Sequence, residues 1–374
     1  MASSRSRTAG RAAAAAVAAS AGLAAAMWAL RGVPAALGAR PAGDRAERIR
    51  RSPQFNGERF QNAAPGREAG VPSPGMLREA VLGKQQRHPR GEVPIVTPGP
   101  WRAAATGLEA IWFGHASTLV EIEGRRVLID PVWSERCSPT SFAGPKRLHP
   151  VPLPVSQLPP LDAIVISHDH YDHLDMETVA ELTRTQSAPF LVPLGVGAHL
   201  ERWHVAADRI VELDWDESAT VAGLRFTATA AQHFSGRAFR RNDTLWGSWA
   251  IAGRTRKVFY TGDSGYFDGY AAIGAAHGPF DLTLIQIGAY SPGWPDIHMT
   301  PEEAIEAHLD VRGGVLVPVH WATFNLAFHD WSEPVERLWR EAKSRDVRLA
   351  VPRPGERIDV DAPPLVDGWW QPIA

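Results

Sequence analysis

Residues 165–173 read VISHDHYDH. Three imidazoles and two carboxylates fall within positions 168–173, directly after the apolar run LDAIVIS at 161–167. Grouping ionisable side chains beside a buried strand costs desolvation free energy, and a bound metal ion offsets that cost. His168 and His170 stand two apart on extended backbone, so they point the same way. Asp172 and His173 follow in the turn before a helix that Asp175 would cap, running through about Thr185.

Three further ligand-type residues fall where apolar strands end: His233 after LRFTATAAQ, Asp263 after KVFYTG, and His320 closing GVLVPVH. A single histidine after a strand is usually a packing or surface group. The H-x-H-x-D-H loop changes that reading, because ligands at strand ends are what a site built from loops on a rigid scaffold requires. Neutral imidazole and carboxylate together suit zinc, and less specifically iron or manganese. Seven ligands imply two ions.

The surrounding text sets the fold. LEAIWFG (108–114), TLVEI (118–122) and RVLID (126–130) read as successive strands with Gly124 in the hairpin between the last two. FLVPL, RIVELDW, GSWAIAG and DLTLIQIG continue the series. TPEEAIEAHL carries a helix start at Thr300, Pro301 and Glu303, and a second helix is predicted from Pro334 to about Ser344. Strands in runs with helices between and outside them imply an α/β protein of two mixed sheets packed face to face and covered by helices, a four-layer αββα sandwich.

Outside this region the texture differs. Residues 1–40 read as a signal or membrane anchor: there is no acidic side chain before Asp44, and Arg5, Arg7 and Arg11 precede AAAAAVAASAGLAAAMWAL at 12–30. This implies a membrane-associated or cell-envelope protein, with an organellar transit peptide or a cytoplasmic chain with a disordered leader left open. Residues 41–104 are rich in Pro, Gly, Arg and Glu and read as a linker and extended arm, and 105–374 read as one folded domain. A net charge of −2 gives no basic surface for nucleic acid. The lone Cys137 excludes an intrachain disulfide and a cysteine-based zinc site. A homodimer is compatible with the sequence.

HDHYDH with the later His, Asp and His resembles the metallo-β-lactamase fold superfamily, and the wider text is similar to its N-acylphosphatidylethanolamine-hydrolysing phospholipase D branch. The segments that carry the likeness include SPQFNGERFQN (52–62), WFGHASTLVEI (112–122), LIDPVWSERCSPTSFAGPKR (128–147), YTGDSGY (260–266), HMTPEEA (298–304) and VHWATF (319–324). The resemblance implies two zinc ions. His168, His170 and His233 would hold one, Asp172, His173 and His320 the other, and Asp263 would bridge them. It further implies a phospholipid substrate met at a membrane surface, most simply N-acylphosphatidylethanolamine cleaved to N-acylethanolamine and phosphatidic acid. Asp172 would also orient the attacking water, and His298 would meet the phosphate as an imidazolium. His115 and Asp130 read as residues that orient ligands rather than bind metal. Ile297 departs from the polar amide of the animal enzymes, which puts headgroup recognition in question. Hydrolysis of a lactone, lactam or other ester on the same site, and a non-catalytic metal-binding envelope protein, stay open as alternatives.

Overall fold

The computed structural model describes residues 32–64, 66, 75, 78–79, 82–237 and 240–374. Residues up to 213 supply strands β1 (Leu108–Gly114), β2 (Ser117–Ile122), β3 (Arg125–Ile129), β4 (Ala163–Val165), β5 (Phe190–Pro193) and β6 (Ile210–Leu213). The residues after them supply β7 (Ser218–Val221), β8 (Leu224–Thr229), β9 (Ser248–Ala252), β10 (Lys257–Tyr260), β11 (Phe280–Gln286), β12 (Gly313–Val319) and β13 (Arg348–Leu349), and β14 (Arg357–Asp359) follows. Helices among the described residues include α1 (Val33–Ala36), α2 (Gly43–Arg51), α3 (Met176–Thr185), α4 (Gly197–Arg202), α5 (Gly269–His277), α6 (Pro301–Asp310) and α7 (Glu333–Ser344).

Two seven-stranded sheets result, in the orders β14-β1-β2-β3-β4-β5-β6 and β13-β12-β11-β10-β9-β8-β7. Why the strand sequences run apolar without alternation is visible in their packing. Ala110 and Trp112 of β1 join the core between the sheets, while Ile111 and Phe113 join a second core under α3 and α4. Ala163 and Val165 of β4 divide from Ile164 in the same way. Successive side chains leave a strand on opposite faces, so a sheet covered on both sides needs apolar residues at every position. On the other sheet Ala304 and Ile305 of α6 and Val335 and Leu338 of α7 are buried in the core. The four-layer αββα sandwich expected from the sequence is the fold.

Local signals account for most elements. Thr300 Oγ1 accepts from Glu303 N, and Glu303 Oε2 accepts from Thr300 N at 2.8 Å, closing the capping box that starts α6. Asp175 stands at the N-cap of α3, but its carboxylate makes no cap bond; it accepts from Ser134 N at 3.1 Å and from Thr178 Oγ1. The LDAIVIS strand is shorter than expected because Ser167 N turns out of the ladder to donate to Asp130 Oδ1 at 2.7 Å. Helix α5 has no strong sequence signal, being GYAAIGAAH. Its Gly274 permits a close approach: a Cβ there would lie 2.1 Å from Asp310 O at the end of α6.

One expectation is corrected. Among the described residues no helix is long and apolar enough to cross a membrane. That overturns the membrane-associated or envelope placement inferred from the N-terminal apolar stretch, and residues 12–30 themselves lie outside the described residues.

Candidate metal centre

Strands β3 and β4 run parallel, as do β10, β11 and β12, and β8 is aligned with them through the intervening antiparallel β9. The C-terminal ends of β4, β8, β10 and β12 therefore open on a common edge, where His168, His233, Asp263 and His320 follow. The approach to Asp263 depends on Gly262. It has φ +58°, and a Cβ there would meet Ser167 Cβ at 2.8 Å and Gly247 O at 2.9 Å. His115, Asp130 and His320 also hold left-handed backbone, at φ 52°, 38° and 64°. Non-glycine residues adopt it only where surrounding structure compels them, and such strain clusters at functional sites.

All seven expected ligands converge. His168, His170, His233 and Asp263 form one group and His115, Asp172, His173 and His320 another, the ligand atoms of each group lying within 4.8 Å of one another. His170 Nδ1 lies 2.8 Å from His168 Nε2 and 3.3 Å from His233 Nε2. Asp172 Oδ2 lies 3.2 Å from His320 Nε2 and 3.5 Å from His173 Nε2. Asp263 Oδ2 stands between the groups, 3.1 Å from both His173 Nε2 and His320 Nε2, 3.8 Å from His233 Nε2 and 3.9 Å from His168 Nε2.

The proton positions test whether a cation fits. His233 Nδ1–H donates to Ile297 O at 3.1 Å, leaving Nε2 as a bare lone pair. Ser167 Oγ donates to Asp130, so it accepts from His168 Nδ1 at 2.9 Å and leaves His168 Nε2 bare as well. His173 Nδ1 donates to Asp130 Oδ2 at 2.7 Å, so its Nε2, which has no hydrogen-bond partner, faces the carboxylates of Asp172 and Asp263. Asp263 Oδ1 is likewise buried and without a partner. Lone pairs and carboxylate oxygens aimed at one another in a buried space repel unless positive charge lies between them. The donor set fits metal ions, and nitrogen with carboxylate oxygen is the set zinc takes.

The electrostatics agree. Burial holds the pKa of His168 and His233 well below the ordinary imidazole value, so both are neutral donors. Burial opposes charge on His173 too, but there Asp263 and Asp172 prevail and push its pKa well above the ordinary value. Asp172 and Asp263 resist the effect of burial through His173 above all, and stay ionised. The pull on His173 is what a cation between these groups would answer.

Asp130 and His115 touch ligands. Asp130 takes bonds from Ser167 N, Ser167 Oγ, His173 Nδ1 and Tyr260 OH. His115 Nε2 lies 2.9 Å from Asp172 Oδ2, and its carbonyl accepts from His320 N at 2.8 Å. Burial, reinforced by His320, lowers the His115 pKa to about 3, so the ring is neutral. His298 is 12% exposed and stands at the mouth, its Nε2 3.9 Å from Asp263 Oδ2. Burial lowers its pKa to about 3 against the pull of Asp263. A cavity of about 850 Å³ opens beside it, lined in part by Tyr290, Pro292, Pro295, Phe328 and Arg337.

Several supporting residues had no local sequence signal. Asn62 bonds both backbone groups of His233. Arg237, 5% exposed, donates to Asp169 O at 2.8 Å and Leu174 O at 2.6 Å, at the two ends of the HDHYDH loop, and to Ala36 O at 2.9 Å. His199 accepts from Ala39 N at 2.9 Å and donates from Nε2 to Asp169 Oδ2 at 3.2 Å.

Comparison with known proteins gives the same picture. Residues 125–321 match the family described as the beta-lactamase superfamily domain. The chain is 51% identical over 360 residues to an uncharacterized protein of Mycobacterium tuberculosis, covering 94% of this chain and 96% of that one. It is 40% identical over 246 residues to N-acyl-phosphatidylethanolamine-hydrolyzing phospholipase D 1 of Caenorhabditis elegans, covering 62% of this chain and 69% of the relative. In fold it is similar to a metallo hydrolase from the archaeon Ignicoccus hospitalis, with a TM-score of 0.53 at 23% identity over 67% of this chain and 97% of that one.

Proposed function

The chain belongs to the metallo-β-lactamase superfamily and is a metal-dependent hydrolase, and on that premise we propose that it is a dizinc phosphodiesterase of phospholipase D type. Its substrate is a phospholipid, most simply N-acylphosphatidylethanolamine, which it cleaves to phosphatidic acid and an N-acylethanolamine. The observation that carries this reading is Asp263, whose Oδ2 lies within 3.9 Å of ring nitrogens from both ligand groups. The identity with the worm phospholipase D supports the substrate class.

His168, His170 and His233 would hold one ion, Asp172, His173 and His320 the other, and Asp263 both. The chemistry such a pair supplies is Lewis acidity, which lowers the pKa of a water and offsets charge on phosphoryl oxygens. Water adds to phosphorus, the bond from phosphorus to the alcohol oxygen breaks, and the alcohol leaves with a proton. The protein's own groups orient this exchange. Asp172, steadied by His115, accepts a hydrogen bond from the incoming water and sets its direction. Neutral His298 donates a hydrogen bond to a phosphoryl or leaving oxygen. The cavity beside His298 receives the leaving alcohol with its acyl chain.

The test is product identification on defined phospholipids, with metal analysis of the protein and of Asp263→Ala. Phosphatidic acid should appear with the native protein and fall by more than about a hundredfold in the variant. Unchanged product formation in the variant removes the mechanism. Turnover of a lactone or β-lactam without phosphodiester cleavage removes the substrate class.

A further inference from the structure

His233 lies past the end of β8, and Asn62 supplies it with the two bonds a neighbouring strand would otherwise make. His233 N donates to Asn62 Oδ1 at 3.0 Å, and Asn62 Nδ2 donates to His233 O at 2.8 Å. The amide is itself oriented: Trp246 Nε1 donates to the same Oδ1 at 3.0 Å and to Ala231 O at 2.9 Å. Exchanging the oxygen and nitrogen of this amide would set donor against donor and acceptor against acceptor in all three bonds. Asn62 is thus locked, and it locks the backbone of His233 in turn.

The ring of His233 is buried and packs against His168, His170, Phe234 and His298. Its Nδ1–H reaches Ile297 O at 3.1 Å, and its Nε2 points at His170. The backbone clasp fixes the point from which this packed ring projects, and with it where Nε2 falls. The Asp172, His173 and His320 group is braced by different residues: His320 N donates to His115 O, and His115 N donates to Thr323 Oγ1 at 2.6 Å. Both groups rest on Asp130, but the backbones of their histidines are held by different residues, that of His233 by Asn62 and that of His320 by His115.

We propose that Asn62 is a positioning residue that aligns His233 and so governs metal affinity at the His168–His170–His233 position, leaving the Asp172–His173–His320 position untouched. This rests on the two-ion reading above. Residues that orient a metal ligand are worth roughly 10- to 100-fold in metal affinity, and the whole of that effect should fall on one position.

The experiment measures zinc affinity of the full chain by competition with a chromophoric chelator, in backgrounds that keep one position each. His320→Ala retains the three-histidine position, and His233→Ala retains the other. Adding Asn62→Ala should weaken zinc binding about 10- to 100-fold in the first background and leave the second within about twofold. Asn62→Asp keeps the size of the side chain and the bonds from His233 N and Trp246 but loses the donor to His233 O. It should also weaken only the first background, and it carries the test if Asn62→Ala does not melt cooperatively. Wild-type affinity with both variants, or equal weakening in both backgrounds, overturns the proposal. A native protein that takes up fewer than two zinc ions overturns the two-ion reading instead.

Discussion

His173 Nδ1 lies 2.7 Å from Asp130 Oδ2, and the same buried carboxylate also receives Ser167 and Tyr260. This one residue sets the tautomer of His173 and, through Ser167, that of His168, so it connects the two ligand groups from below.

Asp130→Asn should therefore act on both metal positions. An amide presents a donor where His173 Nδ1–H needs an acceptor. Metal affinity should fall roughly 10- to 100-fold, measured as zinc retained after dialysis against graded chelator. Retention equal to the native protein would show that Asp130 does not set the tautomers.

Metal removal should lower thermal stability. A ligand that binds only the folded state stabilises it by about 2.7 kcal/mol at a hundred times its dissociation constant. Calorimetry of the protein before and after chelation should show a lower Tm, restored by added zinc. An unchanged Tm would mean that the buried carboxylates and imidazoles tolerate one another without a cation.

His298→Phe separates transition-state contact from metal binding. His298 Nε2 stands 3.9 Å from Asp263 Oδ2 and close to His320, but it is not one of the seven expected ligands, so metal content should stay the same. Loss of a donor to the developing charge should lower kcat by roughly 10²-fold or more with little change in KM. A change in KM alone would assign His298 to substrate binding only.

Arg237→Met removes the guanidinium that ties the HDHYDH loop to the His233 loop and to Ala36. Three backbone carbonyls lose a charged donor, and stability should fall by about 3 kcal/mol. The midpoint of urea denaturation checks this, and a shift near zero would show that the loop holds itself.

His308 predicts a pH dependence away from the metals. It is 2% exposed on α6, and burial lowers its pKa to about 4. The unfolded chain binds a proton near pH 6.5 and the folded one does not until about pH 4. Between these values the unfolded state holds more protons, so the contribution of His308 is fully present above about 6.5 and is lost as pH falls towards 4. The shift corresponds to roughly 3 kcal/mol. Denaturation midpoints across this range should have a shallower slope in His308→Gln than in the native protein, and equal slopes would place the titration elsewhere.

Legibility in the sequence followed the range of the interaction. The capping box at Thr300 and Glu303 acts over three residues and could be read directly. Helix α5 could not, because its glycine-rich text forms a helix only where Gly274 can lie against the end of α6. The N-terminal span had the composition of an anchor, yet no described helix has the length and apolarity to cross a membrane. Arg237 carried no signal, since a guanidinium in a polar stretch is ordinary until its partners are known, and Asn62 lay in the family-like segment 52–62 with nothing to mark its role.

By itself the sequence determined the two-sheet architecture and the side chains with ligand chemistry, because strand periodicity and a dense H-x-H-x-D-H loop are properties of neighbouring residues. Only the tertiary structure decided that Asp263 stands between two groups of nitrogens, that Asp130 orders their protons, and that Asn62 clasps His233. Those relations join residues up to 171 positions apart, and no local rule of backbone or side-chain geometry specifies a distance between them until the sheets have packed.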